Sequence, residues 1–134
     1  MKQPIELRIR EGRRATAEMF VDLCLAFHAS AYPVGEEPSE TDANLSLVAV
    51  AAMLAHAEGH AMNVSELAAR LRMPRTSVLR RLNVLVRGGL IVKIEDRYYL
   101  EPGRAKHVPY LDKFTLILSK AFAVLGPILS DLDS

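Results

Sequence analysis

Thr76, Arg80, Asn83 and Arg87 recur at spacings of four, three and four residues. A helix advances about 100° per residue, so all four lie on one face. Their chemistry suits the edges of bases. Arg can pair with guanine O6 and N7, Asn with adenine N6 and N7, and the Thr methyl can touch a thymine methyl. Val78, Leu82 and Leu85 gather on the opposite side of the same segment. An α-helix fits the major groove of duplex DNA, so the pattern is that of a reading helix over about 75–87. Arg75 and Ser77 fall at its start, where free N–H groups also face phosphate. Arg72 and Arg81 add flanking phosphate contacts, and Lys93 and Arg97 are the nearest cations beyond it. A run of arginines is commonly no more than a solvated face. The elements around it decide between the two readings.

Charge is placed unevenly. The 134-residue chain carries 17 basic and 16 acidic side chains, a formal net charge of +1. A global argument for nucleic acid therefore fails, and any basic patch must be local. From Asn63 to Arg104 there are nine basic and four acidic residues, net +5, which leaves −4 for the remainder. A basic middle with acidic flanks suits a module that meets phosphate while its scaffold does not.

The elements that would position the stripe can be read from the spacing. Ile5, Leu7 and Ile9 alternate with charges, as in an extended arm or edge strand. A first helix is predicted from about Arg13 to Ser30, with Phe20, Cys24, Phe27 and Ala31 as an apolar stripe. Ala31 to Glu40 is a linker broken by two prolines and a glycine. Thr41 or Asp42 can cap a second helix that runs to about Glu58 and is apolar on most faces, so it should be central and buried. Asn63 and Glu66 have the three-residue spacing of a capping box at the start of a third helix. Arg72-Met73-Pro74 makes a turn before the helix that bears the stripe, and Gly88-Gly89 stops that helix. Leu90–Ile94 and Arg97–Leu100 flank Glu95-Asp96 as a hairpin, ended by Pro102-Gly103. A last helix should start at Pro109, and Pro127 should kink or split it near Gly126.

The order helix, short strand, helix, turn, helix, hairpin is that of a winged helix-turn-helix. The stretch Asn63 to Leu100 closely resembles the DNA-binding part of MarR-like regulators. Ser65-Glu-Leu-Ala68, Leu85 with Gly89-Leu90, and Tyr98-Tyr99-Leu100 carry the resemblance. It implies a DNA-binding regulator of transcription. Two positions depart from the pattern. Arg72 stands where the tight turn usually has glycine, which puts Arg72 at positive φ, and Pro74 replaces the usual Ser or Thr cap. The wing is short and its tip acidic, which argues against deep minor-groove insertion.

Leu111, Phe114, Leu118, Ala121, Leu125, Ile128 and Leu132 form a heptad seam. Seven aligned positions exceed what one small winged helix needs to cover, and a patch that large marks an interface. The expectation is a homodimer joined through the first and last helices, with Phe20, Phe27, Leu111, Phe114, Leu118, Leu125, Ile128 and Leu132 in the joint. Two reading helices could then meet successive major grooves of an inverted repeat.

Other residues attract attention less. His56 and His60 stand four apart, a spacing that metal ligands can use, but they straddle a helix end with no cysteine near, so no metal site is expected. His28 and His107 are isolated. Cys24 lies on the apolar stripe, and buried cysteines are usually inert; a peroxide-sensing thiol, as in some MarR-like regulators, is the less favoured reading. One cysteine forms no intramolecular disulfide, which fits a cytoplasmic protein. The first ten residues hold no apolar signal core, and Leu45 to Ala57, taken as the longest apolar-rich run, is too short to span a bilayer. Neither a catalytic constellation nor a glycine-rich phosphate loop is present, so neither enzyme activity nor a cofactor is expected.

The expected architecture is mainly α with a small β-hairpin: a winged helix-turn-helix with N- and C-terminal dimerisation helices. Residues 1–40 hold arm, helix and linker, 41–104 the DNA-binding module, and 105–134 the terminal dimerisation helix. Double-stranded DNA and a second copy are the expected partners, with no membrane. MarR-like proteins often add a small-molecule effector, held between the dimer helices and the DNA-binding lobe; here Phe20, Phe27, Leu47, Phe114 and Leu118 fit such a lining and ordinary core equally. The competing reading is a winged-helix interaction adaptor that binds no DNA.

Overall fold

The computed structural model describes residues 3–33, 35–106 and 111–133. Its elements are α1 (Glu11–Ser30), α2 (Ala43–Ala57), α3 (Val64–Leu71), α4 (Arg75–Arg87), β1 (Ile91–Ile94), β2 (Arg97–Leu100), α5 (Pro102–Lys106) and α6 (Leu111–Asp133). They fall into two compact units, residues 24–110 and residues 1–23 with 111–134. The 24–40 segment thus belongs with the winged helix rather than with the terminal helices. His107 and the expected helix start at Pro109 lie outside the described residues, as do the side chains of Leu111 and Leu132.

The core of the 24–110 unit forms where α2, α3, α4 and the hairpin meet. Leu45, Val48 and Ala52 of α2, Leu67 of α3, Val78, Leu82 and Leu85 of α4, Ile91 of β1 and Tyr98 of β2 are essentially inaccessible. Each large apolar side chain buried there contributes roughly 1.5–3 kcal/mol. Asp42, one of the two candidate caps, starts α2: its carboxylate accepts from the N–H groups of Asn44 (3.1 Å) and Leu45 (3.3 Å). The α2 helix is central, but not buried all round. Leu47, Met53 and Leu54 are exposed on its outer side.

The capping box of α3 forms in full. The Asn63 side chain accepts from Glu66 N–H at 2.9 Å, and Glu66 accepts from Asn63 N–H at 3.2 Å. Arg72 ends α3 in the left-handed region at φ 54°, as the missing glycine implied. Pro74 precedes α4 and provides no side-chain cap.

β1 and β2 pair antiparallel, with Ile91 opposite Leu100 and Ile94 opposite Arg97. Their two-residue turn places Glu95 at φ 49° and Asp96 at φ 69°. Hairpin turns with positive φ at both positions favour Asn-Gly, so the acidic pair sits here against its conformational preference. No strand forms before α3 among the described residues. Its place is taken by one bond, from Tyr98 N–H to the Met62 carbonyl at 3.0 Å. Residues 3–10 likewise form no strand, because no neighbouring backbone pairs with them.

Pro102-Gly103 opens α5 rather than a loop. Glu101 caps it by accepting from Arg104 N–H at 2.7 Å, and the N–H groups of Arg104 and Gly103 hold its carboxyl below the usual value. Arg104 reaches back to donate to the Ser30 carbonyl at 3.1 Å.

In the other unit, α6 continues through Pro127 without a break. A proline costs one helical bond, here to the Ala123 carbonyl, and that loss is not enough to divide the element. Ala121 is buried, and Leu125 and Ile128 close over Gly12 of α1. Part of the predicted seam therefore packs within its own chain. Glu18 and Lys120 form an exposed ion pair, which lowers the glutamate pKa and raises that of the lysine. The stretch Asp112–Asp131 is long and apolar enough to cross a membrane by length and composition, which Leu45–Ala57 is not.

Two substitutions check this account by urea denaturation. Asn63→Ala removes the α3 cap and should lower stability by about 1 kcal/mol. Arg72→Gly relieves a left-handed residue and should raise it by up to about 1 kcal/mol. A lowered midpoint for Arg72→Gly would contradict the strained turn.

Candidate nucleic-acid interface

α4 is divided lengthwise by burial. Val78, Leu82 and Leu85 are wholly inaccessible on its inner side. Thr76, Arg80, Asn83 and Arg87 are all exposed on the other. This is the stripe that the spacing predicts, and the core behind it fixes which way it points. Arg87 Nε donates to the Asn83 carbonyl one turn back at 3.4 Å, which lays its stem along the helix. Thr76 and Arg80 sit toward the N-terminal end, beside the turn that carries the exposed Arg72.

Arg75 is exposed, and its Nε donates to Ser65 Oγ of α3 at 3.2 Å. An open hollow of about 290 Å³ lies here between the start of α3, α4 and the wing, with Arg75, Ser65, Lys93 and Asp96 on its walls. Lys93 is exposed, and its ammonium stands 6.0 Å from the centre of the Tyr98 ring. Two cations at one hollow, on different elements, form a surface for a single anionic group.

Arg81 departs from the expectation. Only 8% of it is accessible. Its Nε donates to Asp42 Oδ2 at 3.0 Å and its Nη2 to Asp42 Oδ1 at 3.3 Å. Its Nη1 donates to the carbonyl and hydroxyl of Ser77. A guanidinium so committed inside the fold has no reach to a phosphate. Arg81 leaves the interface for a structural position, and the Ser77 hydroxyl goes with it. The signal was present in the sequence. Val78, Arg81, Leu82 and Leu85 follow the i, i+3, i+4, i+7 pattern of a buried face, so Arg81 occupies a core position.

Arg97 is half exposed and has a second task. Its Nη1 donates to Glu66 at 3.2 Å and to the Ala61 carbonyl, which ties the wing to the start of α3. The wing tip, Glu95 and Asp96, is exposed and acidic. Lys93 and Arg97, the cations of the wing, lie in the strands on either side of this tip.

The histidines take structural partners. His56 Nδ1 accepts from Leu100 N–H at 3.0 Å and its ring stands edge-on to Tyr99. His60 is exposed, and with His56 it borders a second hollow, of about 470 Å³. Among the described residues, no three His, Cys, Asp or Glu side chains are grouped to hold a metal. His28 is buried between the Asp42 N–H (3.4 Å) and the Pro38 carbonyl (3.5 Å). Tyr32 packs edge-on against it, and burial, together with the Asp42 charge, pushes the tyrosine pKa up. Cys24 is a free thiol of intermediate exposure.

The residues expected in a dimer joint are unequal. Phe20 is 67% exposed, and Leu118 and Ile128 are each 43% exposed. Phe27, Phe114 and Leu125 are partly buried. Phe122 and Leu129, which with Ile117 widen the seam, are exposed large apolar residues of α6, as is Leu116.

The MarR family model matches residues 48–98, from the second turn of α2 to the second strand of the wing. No curated protein and no solved structure matches the chain. The match covers α3, α4, β1 and most of the core side chains on which α4 rests. Members of this family are regulators rather than enzymes. The stretch from Val48 to Tyr98 is thus similar to the winged helix of MarR-family regulators, the module by which such regulators bind DNA.

Proposed function

We propose that the chain acts as a homodimer on an inverted-repeat operator, with α4 in the major groove. The observation that carries this reading is the division of α4. Four side chains able to read base edges stand exposed in one row, and the opposite row is fully buried. Arg80 and Asn83 at its centre supply the base contacts, and Thr76 and Arg87 extend them to either side. Arg72, Arg75 and Lys93 hold backbone phosphates, and Arg97 adds a cation beside the wing tip. Arg81 and Ser77 are absent from this set for the reasons given above.

The dimer reading rests on apolar surface that water should not be left to cover. Phe20, Val21, Leu116, Phe122 and Leu129 are each 48–67% exposed. A bilayer would also accept such a surface. However, Lys120 lies near the middle of the Asp112–Asp131 stretch and pairs with Glu18, and an exposed ion pair at mid-bilayer is costly. We therefore read the face as one that meets a second copy, with reading helices about 34–36 Å apart. The adaptor reading draws only on the acidic wing tip and the near-neutral total charge.

Fluorescence anisotropy against a duplex library tests the DNA reading. Affinity should fall steeply as salt rises. Arg80→Ala should cost about 1–3 kcal/mol at one base position and leave the others unchanged. No binding at low salt would overturn the proposal, and a stable heteromer unaffected by Arg80→Ala and Arg87→Ala would favour the adaptor.

Sedimentation velocity tests the joint. The chain should run at twice its monomer mass, and Phe122→Glu should shift it to monomer and weaken operator binding. A monomeric wild-type chain that still binds the operator would remove the dimer from the proposal.

A further inference from the structure

Arg80 and Arg81 are neighbours in sequence and chemically identical, yet one is exposed and the other has 8% of its surface accessible. Burial of Val78, Leu82 and Leu85 sets the inner face of α4, and Arg81 lies at the edge of that face. A rotation of α4 by one residue, about 100°, would carry Arg80 inward and turn the whole reading row away. A fixed, oriented acceptor that takes only one of the two would prevent this. Asp42 has that character. Its carboxylate accepts from Asn44 N–H and Leu45 N–H at the head of α2 and from two nitrogens of Arg81. Its backbone N–H is donated to His28, and its carbonyl accepts from Leu45 N–H at 3.1 Å. The residue is thus held by α1 and α2 before it meets α4. The two parallel donations from one guanidinium fix angle as well as distance.

We propose that Asp42 is a positioning residue for DNA recognition: its two-pronged pairing with Arg81 locks the rotation of α4 and so selects which side chains face the bases. This rests on the DNA reading above and deepens it. Asp42 touches no DNA and lies 39 residues from its partner in sequence. Ser77, one turn before Arg81, accepts from the remaining guanidinium nitrogen and completes the anchor. The role differs from stability alone, because a mere cap for α2 would not affect which bases are read.

Asp42→Asn separates the two roles, since asparagine also caps helices but carries no charge to hold a guanidinium. The experiment measures operator and random-duplex affinity across salt for the wild type, Asp42→Asn and Arg81→Met, well below every unfolding midpoint. Positioning predicts that both variants lose operator preference over random duplex by tenfold or so, the worth of one base contact. Asp42→Asn should also steepen the salt dependence by about 0.9 in log–log slope, as the freed guanidinium finds a phosphate. Arg81→Met should leave that slope unchanged, and the double variant should lose no more preference than either single one. A slope that falls by about 0.9 in Arg81→Met would make Arg81 a phosphate ligand and overturn the proposal. Amide exchange supplies a readout independent of DNA: Asp42→Asn should loosen α4 while the first turn of α2 stays protected. Equal preference, or equal exchange in α4, overturns the positioning role while leaving the DNA reading intact. A wild-type chain that binds no duplex overturns the DNA reading itself.

Discussion

Burial of Val78, Leu82 and Leu85 beneath α4 is the constraint from which the rest of the winged helix follows. These side chains pack on α2, α3 and the hairpin and are wholly removed from water. At roughly 1.5–3 kcal/mol each, they outweigh the cost of crowding several arginines on one short helix. They also fix direction. A helix that buries a three-residue row must present the opposite row, and in this sequence that row is Thr76, Arg80, Asn83 and Arg87. Apolar packing thus sets which face of α4 turns outward, the Asp42–Arg81 pairing is proposed to hold its angle, and the outward cations need no partner of their own.

The backbone accepts strain where the module must turn sharply. Arg72, Glu95 and Asp96 are the non-glycine residues with positive φ among those described, and all lie at turns beside α4 or at the wing tip. Left-handed backbone costs an ordinary residue about 1–2 kcal/mol. Glycine at Arg72 would remove the strain and also remove a cation beside the reading helix. At the wing tip the same strain is borne by an acidic pair, of which Asp96 borders the hollow that Arg75 and Lys93 also line. On the proposed reading the two departures act oppositely on DNA: one would add a contact and the other would repel phosphate.

Much of this was legible because local chemistry and tertiary packing agree. The Asn63–Glu66 spacing gives the capping box, the apolar period gives α4 with its bounds, and the β-branched runs give the hairpin. What escaped the reading has a common cause: it depends on partners distant in sequence. Arg81 looks like a flanking phosphate contact until Asp42, 39 residues away, is placed beside it. His28 looks isolated until the linker returns over it. α5 was read as a loop because Pro102-Gly103 is a turn signal, and only the Glu101 cap turns it into a helix start. The seam of α6 illustrates the limit of periodicity, which shows that a face is apolar but not what covers it. Gly12 takes part of that face within the chain, where the absence of a Cβ lets Ile128 approach.

Electrostatics and the hydrophobic surface divide the chain between them. Net charge is +1 overall, but +5 between Asn63 and Arg104, so the field that attracts DNA is confined to one module. Screening over about 10 Å at ordinary salt keeps it there. The acidic remainder, net −4, would repel a duplex laid along it, which favours a single orientation of approach. Most of the exposed large apolar side chains of α1 and α6 lie in the other unit. A single winged helix offers one short reading row, and four base-reading side chains give limited discrimination. On the proposed reading, a second copy joined through the apolar face would double that row without any new chemistry. It would also turn a modest preference per half-site into a steep one for the paired site.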